Sequence, residues 1–435
     1  MSESSLNPVL VQFSIVEVEP VPGRWSGHMA IVITIGKMVN HTFNNHLTLL
    51  SIDNQLYFVN SHQPITRGWK INTRTISSAK IHMSQSIKFD NVNTLFSKTL
   101  KQKINHYFNN SSKQKTGNRR IFLKASILLT TFIILYVLLV FVPIHWSIAI
   151  VLCLIFGANL AAIGFNIMHD AGHNSFSGNK RLNTVLSYSL NLLGGNIYFW
   201  KLKHNIAHHT YTNIDGEDHD IEVKFMRIHH DQKLKKHHRY QRFYFPLLYG
   251  ISYLAWIFYQ DYEKYFRGRM GNDTDRFHFP LKERVIFWVS KLLHFTLFVV
   301  VPIIFVGWLP TLLGLLIAGV VCGLSLATVF QLAHVVSGTE FKTIEASRVE
   351  EEWMIHQIQS TANFATKSKV LTWLLGGLNF QVEHHLFPKI SHVHYPALNR
   401  IVKQTCEEYK LQYNEFRTFW AAFRSHIGVI HSMSK

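Results

Sequence analysis

Cysteine is nearly missing: the 435-residue chain has three, Cys153, Cys322 and Cys406. None forms a Cys-x-x-Cys pair, and two lie in apolar runs. This argues against a disulfide framework and against a thiolate-held zinc or iron–sulfur site. Charge is also scarce, at 16% of residues against 47% hydrophobic. That fraction is low for a water-soluble protein and suits a membrane protein. Acids are scarcest: 26 against 44 lysines and arginines, for a formal net charge of +18. Such a balance suits nucleic acid or the cytoplasmic face of an anionic bilayer. Here the basic residues flank apolar runs and no nucleic-acid-binding motif is present, so no nucleic-acid partner is expected. The opening MSESSLNPVLVQFS lacks a basic start followed by an apolar core, so no secretory signal peptide is expected there.

Long apolar runs are abundant. One runs from Ile121 to Val142 and carries a single charge, Lys124; after Pro143 a second runs from His145 to Met168. Each is long enough for the roughly 20 residues of a spanning helix, and the short link makes them a hairpin. A second hairpin is predicted from about Val285 to Phe305 and Leu309 to Ala333, joined at VGWLP. Neither turn carries a lysine or arginine. The outer flanks do: Arg119, Arg120, Lys180, Lys201, Lys203, Lys282, Arg284, Lys342 and Lys367. The positive-inside bias then places both termini and both long loops in the cytoplasm. Lys291 and His294 interrupt the third helix, so its lower end is expected to be interfacial or buried against protein.

Two broken apolar stretches, 185–200 with a Gly-Gly pair and 243–260 with Pro246 and Gly250, read as interfacial or half-inserted helices. Val92, Leu95, Phe96, Leu100, Ile104 and Phe108 recur at helical spacing with lysines off that face, which predicts a basic amphipathic helix on the membrane surface, with a soluble helix packed on the cytosolic domain as the alternative. Residues 1–82 hold β-prone pieces such as AIVITIG and LTLLSIDNQLYFV but no motif. They are either a small extra domain or the product of a start assigned too far upstream, since Met83 opens a stretch that looks like a natural protein start. The expected organisation is therefore 1–82 as an uncertain extension, 83–120 as the cytosolic or interfacial helix, 121–400 as the membrane domain and 401–435 as a cytosolic tail.

The chain has 27 histidines, so one His-x-x-x-His pair means little. Position adds meaning. His169 and His173, in HDAGH, share a helical face just after the second run. KHNIAHH places His204 and His208 four apart, with His209 following. GGLNFQVEHHLFP carries His384 and His385, with Gln381 three before the first. His334 ends the last run, where an isolated histidine is either an interfacial anchor or a fourth contribution. All four groups reach one depth on the cytoplasmic side. The run RIHHDQKLKKHHRY, with His229, His230, His237 and His238, reads as a solvated basic loop. So many imidazoles exceed a four-coordinate zinc site and suit iron, zinc, copper or nickel. Asp170, Asp218, Asp220 and Glu383 lie beside these histidines, where carboxylates orient ligand imidazoles.

At these residues the chain resembles the membrane fatty acid desaturases, whose three histidine boxes read here HDAGH, HNIAHH and QVEHH. The resemblance covers roughly residues 83–420, and the glutamine opening the third box resembles the front-end subgroup. It implies an all-α integral membrane protein with four transmembrane helices in two hairpins, interfacial helices and a cytosolic helical cap. It also implies a di-iron centre that activates dioxygen to introduce a cis double bond into an acyl chain carried on coenzyme A or a lipid. By resemblance the metal ligands are His169, His173, His204, His208, His209, His384 and His385, with His334 as the further histidine at the end of the last span. Gln381 would act through water or from behind the ligands, as would Asp170, Asp218 and Glu383. Many eukaryotic front-end members carry a fused haem domain with a His-Pro-Gly-Gly motif. That motif is absent here, so the expected donor is a separate ferredoxin or free b-type cytochrome, steered by basic surface such as KLKKHHRYQR. Sphingolipid desaturation, hydroxylation, acetylenation and carotenoid oxygenation stay open as reactions of the same boxes. A zinc-containing membrane receptor or transporter is the rival from another class.

Overall fold

The computed structural model describes residues 88–89, 94–221, 223–270, 277–343, 348–349 and 351–435, with the backbone of strands between 9 and 72. Met83 lies outside them. The chain falls into two compact units, Met1–Gln85 and Ser86–Lys435. In the first, β1 (Val9–Val18), β2 (Met29–Val39), β3 (Thr42–Ile52), β4 (Gln55–Val59) and β5 (Ile71–Asn72) form a sheet of order β4-β3-β2-β1-β5. Every pairing in it is antiparallel. The β-prone pieces seen in the sequence are thus strands of one sheet, an addition to an otherwise mostly helical chain.

The first helix of the second unit is α1 (Leu95–Ser111), capped by Thr94. Its apolar face, Phe96, Leu100, Ile104 and Phe108, packs into a cluster with Phe380, Val382, Leu398 and Val402. The helix is amphipathic as the sequence indicates. Those four residues are covered by protein, as in a helix packed on the cytosolic domain, while Leu95 of the same stripe stays exposed.

Four helices are long and apolar enough to cross a membrane: α2 (Arg119–Phe141), α3 (Trp146–Gly172), and, further along the chain, Leu281–Val306 and Trp308–His334. They keep large apolar side chains exposed, among them Ile133, Trp146, Ile304 and Trp308. Faces of this kind are stable against lipid and not against water. The residues flanking Pro143 separate α2 from α3, where the His145 side chain accepts from the Ser147 amide. The stretch 185–200 does not span. It breaks at Gly194 (φ +93°) and leads into α4, residues 197–208. Next come α5, a continuous helical run over 241–267, then α6 (Leu281–Val306) and α7 (Trp308–His334). Lys291 of α6 is buried. Its ammonium donates to the Gly194 carbonyl (2.6 Å), the Ile257 carbonyl (3.0 Å) and Asp261 Oδ2 (3.1 Å). A cation inside an apolar helix needs such partners, and these pin the broken loop and α5 to α6.

Helices α3, α5 and α7 touch through small residues. A Cβ on Gly157 would meet the Ala318 carbonyl oxygen at 2.4 Å, and one on Gly323 would meet that of Gly250 at 2.4 Å. Without a hydrophobic driving force in lipid, close backbone packing of this kind holds spans together. Beyond α7 lie the cap helices α8 (Trp353–Gln359), α9 (Gln381–Leu386), α10 (Tyr395–Glu408) and α11 (Phe419–Ser432), with a short helix, Lys369–Leu374, between α8 and α9.

Candidate metal centre

Local helix geometry decides which histidines meet. The last turns of α3 are wound as π-helix over Gly164–Met168, and α4 is π-helical over Lys201–His208. Such windings recur at functional sites because the extra residue per turn re-aims side chains. In α4 the His209 amide reaches back five residues to the His204 carbonyl. His204 and His209 therefore come together, with Nε2 atoms 3.3 Å apart, and His208 is left free to point elsewhere.

Two groups result. One nitrogen from each of His169, His173, His204 and His384 lies within 4.8 Å of the others, and the same holds for His208, His334 and His385. His209 stands equally close to His384 and His385 and bridges the two groups. All eight imidazoles are buried. The histidines of the 229–238 loop join neither group: His229 pairs with Asp215 (3.0 Å).

Each group is held from behind. His204 donates Nδ1–H to Asp220 (2.7 Å), whose other oxygen pairs with Lys203 (2.9 Å). His208 donates to Asp218 (2.8 Å), which also accepts from the Asn213 and Asp220 amides. His385 donates to Gln357 Oε1 (2.9 Å), His334 to the Ser360 carbonyl (3.4 Å), and His384 Nδ1 meets the Tyr395 hydroxyl at 3.1 Å. Second partners of this kind fix ring orientation and tautomer. They leave the opposite nitrogens of His208, His334, His384 and His385 without a partner, along with His169 Nδ1, His173 Nε2 and His209 Nδ1. Buried polar atoms are rarely left unpaired. Nitrogens converging from imidazoles, with no thiolate beside them, fit a pair of borderline metal ions such as iron.

The electrostatics agree. Burial, reinforced by neighbouring imidazoles, holds His173, His209, His384 and His385 well below the usual histidine range. Burial also lowers His204. At His208 burial opposes the charge, but the Asp218 carboxylate overcomes it and raises the group. Burial likewise works against ionisation of Asp220, yet Lys203 and His204 keep its carboxyl well below the usual range. Neutral imidazole is the form that binds metal.

Other sequence-selected residues lie elsewhere. Asp170 follows His169 but turns to the Ser391 hydroxyl (2.8 Å) and His392 Nδ1 (2.9 Å). Glu383 is held by Asn363 (2.7 Å) and Tyr413 (2.8 Å), and burial pushes its carboxyl up to about 7. Neither orients a box histidine. Both fasten the cap instead. Gln381 is buried at the start of α9. Sequence reasoning missed Tyr395, Gln357 and Trp200. The Trp200 indole stacks on His204 with centroids 4.6 Å apart, and its place four residues before His204 was a readable signal. Tyr395 and Gln357 carry no such local cue.

The comparisons agree with this geometry. The fatty acid desaturase profile matches residues 144–417. The sn-1 linoleoyl-lipid 6-desaturase of Synechocystis sp. is 34% identical over 346 residues, which is 78% of this chain and 96% of that protein. The acyl-lipid (8-3)-desaturase of Physcomitrium patens is also 34% identical, over 78% of this chain and 72% of its own length. A protein from Dictyostelium discoideum named as a probable Delta(5) fatty acid desaturase C is 27% identical over 94% of this chain and 92% of its own.

Proposed function

The chain belongs to the fatty acid desaturase family, and from that premise we propose how its residues divide the work. It is an oxidoreductase of the front-end desaturase type. The relatives' names point to an acyl chain carried on a lipid as the substrate. The supporting observation is the pair of adjacent groups of buried imidazoles, seven of whose eight rings keep a nitrogen without a partner.

His169, His173, His204 and His384 would hold one iron ion and His208, His334 and His385 the other, with His209 between them. When bound, the iron pair would supply dioxygen activation and the removal of two hydrogens from adjacent methylenes. The protein's task is orientation. Asp220, Asp218, Gln357, Ser360 and Tyr395 hold the rings, and Trp200 covers one face of the first group. Holding one carbon pair in reach is worth several kcal/mol of the barrier, up to about 7–11 in favourable cases. The flanks rich in lysine and arginine lie at the same helix ends as the histidines, which favours a cytoplasmic site and cytoplasmic termini. Electrons would come from a separate ferredoxin or b-type cytochrome.

The test is a fatty-acid profile of cells fed linoleate, with iron analysis of the purified protein. The expected product is a polyunsaturated acid with its new double bond on the carboxyl side. It should be absent with His384→Ala, whose iron content also falls. A hydroxylated product moves the reaction class. Bound zinc with no oxygen-dependent product sinks the reading.

A further inference from the structure

A groove of 710 Å³ runs between α1 and α10, lined by Gln102, Lys103, His106, Tyr107, Ile401 and Gln404 among others. Resting on the reading of a separate donor, we propose that this groove is the docking surface for an acidic electron-carrier protein, a one-electron haem or iron–sulfur carrier.

Charge is the first argument. Residues 94–120 carry Lys98, Lys101, Lys103, Lys113, Lys115, Arg119 and Arg120, and no acid occurs between 94 and 169. All of these cations except Lys103 are exposed. Lys103, which lines the groove, pairs with Glu408 of α10 (2.5 Å) and offsets its charge. Such a patch steers an acidic partner and fixes its orientation.

The second argument is what lies beneath. Lys113 sits 5.2 Å above the Tyr107 ring and Lys115 5.8 Å above the Phe108 ring. Both rings pack edge-on against His394, at 6.5 and 5.1 Å. The next residue, Tyr395, is buried and its hydroxyl meets His384 Nδ1 at 3.1 Å. Cations on the rim therefore stand over a continuous line of packed groups that ends on a box histidine. At the other basic surface, Lys233 to Arg239, the aromatic contacts of the run itself lead away from the box histidines. Its ring contacts run from His238 through His237 to Phe225, and Phe225 is exposed.

The balance is ordinary for the reaction. An acyl CH2–CH2 unit, O2, two electrons and two protons give CH=CH and two waters. A one-electron carrier is oxidised in each of two visits, so the contact must be brief. Small, wet, salt-sensitive interfaces have that character.

The experiment uses the full chain in neutral-lipid nanodiscs. A plant-type ferredoxin and, separately, a soluble b-type cytochrome are the probes, with affinity measured by titration across ionic strength. Lys113→Glu with Lys115→Glu is expected to weaken binding of at least one probe about tenfold at low salt and flatten its salt dependence. Lys113→Arg with Lys115→Arg should bind as the parent does. Turnover driven by dithionite and methyl viologen should be equal in all three. Unchanged affinity in the Glu pair overturns the proposal, as does loss of affinity only when Lys233, Lys235 and Lys236 are reversed. Donor affinity kept while binding to phosphatidylserine vesicles is lost would make the patch a lipid surface and also overturn it. Failure of the parent chain to form product with the small reductant would sink the desaturase reading instead, since affinity is read without turnover.

Discussion

At Gly172 only a hydrogen separates the first histidine pair from an indole. A Cβ there would lie 2.4 Å from Trp200 Cζ3, and Trp200 is stacked on His204 and edge-on to His173. Gly172→Ala must therefore displace the indole and, with it, an imidazole of the first group. Misplacement near 1 Å can cost about a hundredfold in rate. We expect Gly172→Ala to lose activity on that scale and to purify with less iron, and Gly172→Ala with Trp200→Phe to recover part of both. Full iron and normal activity in the single variant would refute the role given to the indole. Titration is also a residue-scale matter. Burial pushes His356 and His426 down to about 4. Both are held neutral by protein: His426 joins the Val335 carbonyl (2.7 Å) to the Tyr249 hydroxyl (2.8 Å). A folded pKa below the unfolded value of about 6.5 means that the unfolded chain binds more protons in that window. This stability is complete above about 6.5 and is lost as pH falls toward 4, by about 2 kcal/mol per group at pH 5. Thermal melts of the metal-free protein in detergent should move down between pH 7.5 and 5, and His426→Gln should show a shallower drop. Equal slopes for the two proteins would exclude His426 as a contributor.

Between elements, the crossing of α5 and α7 is set by backbone contact. The nearest neighbours of a Cβ on Gly323 are the Gly250 and Tyr249 carbonyl oxygens, at 2.4 and 2.7 Å. Carbonyls cannot rotate aside as a side chain would, so Gly323→Ala must part the helices. A cost of about 1–3 kcal/mol is typical of overpacking. Gly428, inside α11, has nothing within 4 Å, and alanine there should be neutral or slightly stabilising. Melting temperatures of the two variants should diverge accordingly, and parity would mean that the α5–α7 contact relaxes freely. The same crossing shows what sequence can and cannot reveal. The four spans were legible within a few residues, because hydropathy and length are local properties. The histidine clusters were legible from their spacing and their place at span ends. Their division into two groups was not, because it depends on the π-winding of α4, where spacing of four had suggested a plain α-helical face. The destination of the α1 stripe was equally hidden: Phe96 and Leu100 look the same whether lipid or α10 covers them. Tyr395 and Gln357 stood outside any pattern, since they reach the histidines only through the tertiary fold.

The two units of the whole molecule raise a question of necessity. Every residue named in the metal centre lies in Ser86–Lys435, and the desaturase profile begins at residue 144. The Synechocystis relative is matched over 96% of its length by 78% of this chain, so a protein of that size has little room for a counterpart of the first unit. The Dictyostelium relative, matched over 94% of this chain, does extend into it. The sheet β1–β5 was visible in the sequence only as isolated β-prone pieces. Strand pairing is set by neighbours distant in the chain, and no hydrophobic alternation ran across the whole stretch. If the chemistry belongs to the second unit alone, a chain started at Met83 should form the same product at the same rate as the full chain when both are driven by dithionite and methyl viologen. Comparing the two chains with a protein donor then isolates delivery. Equal rates with both reductants would make the first unit dispensable to the whole cycle. Loss confined to the protein donor would give the sheet a part in receiving electrons, and loss with the small reductant too would tie it to the folding or chemistry of the histidine centre and defeat the prediction.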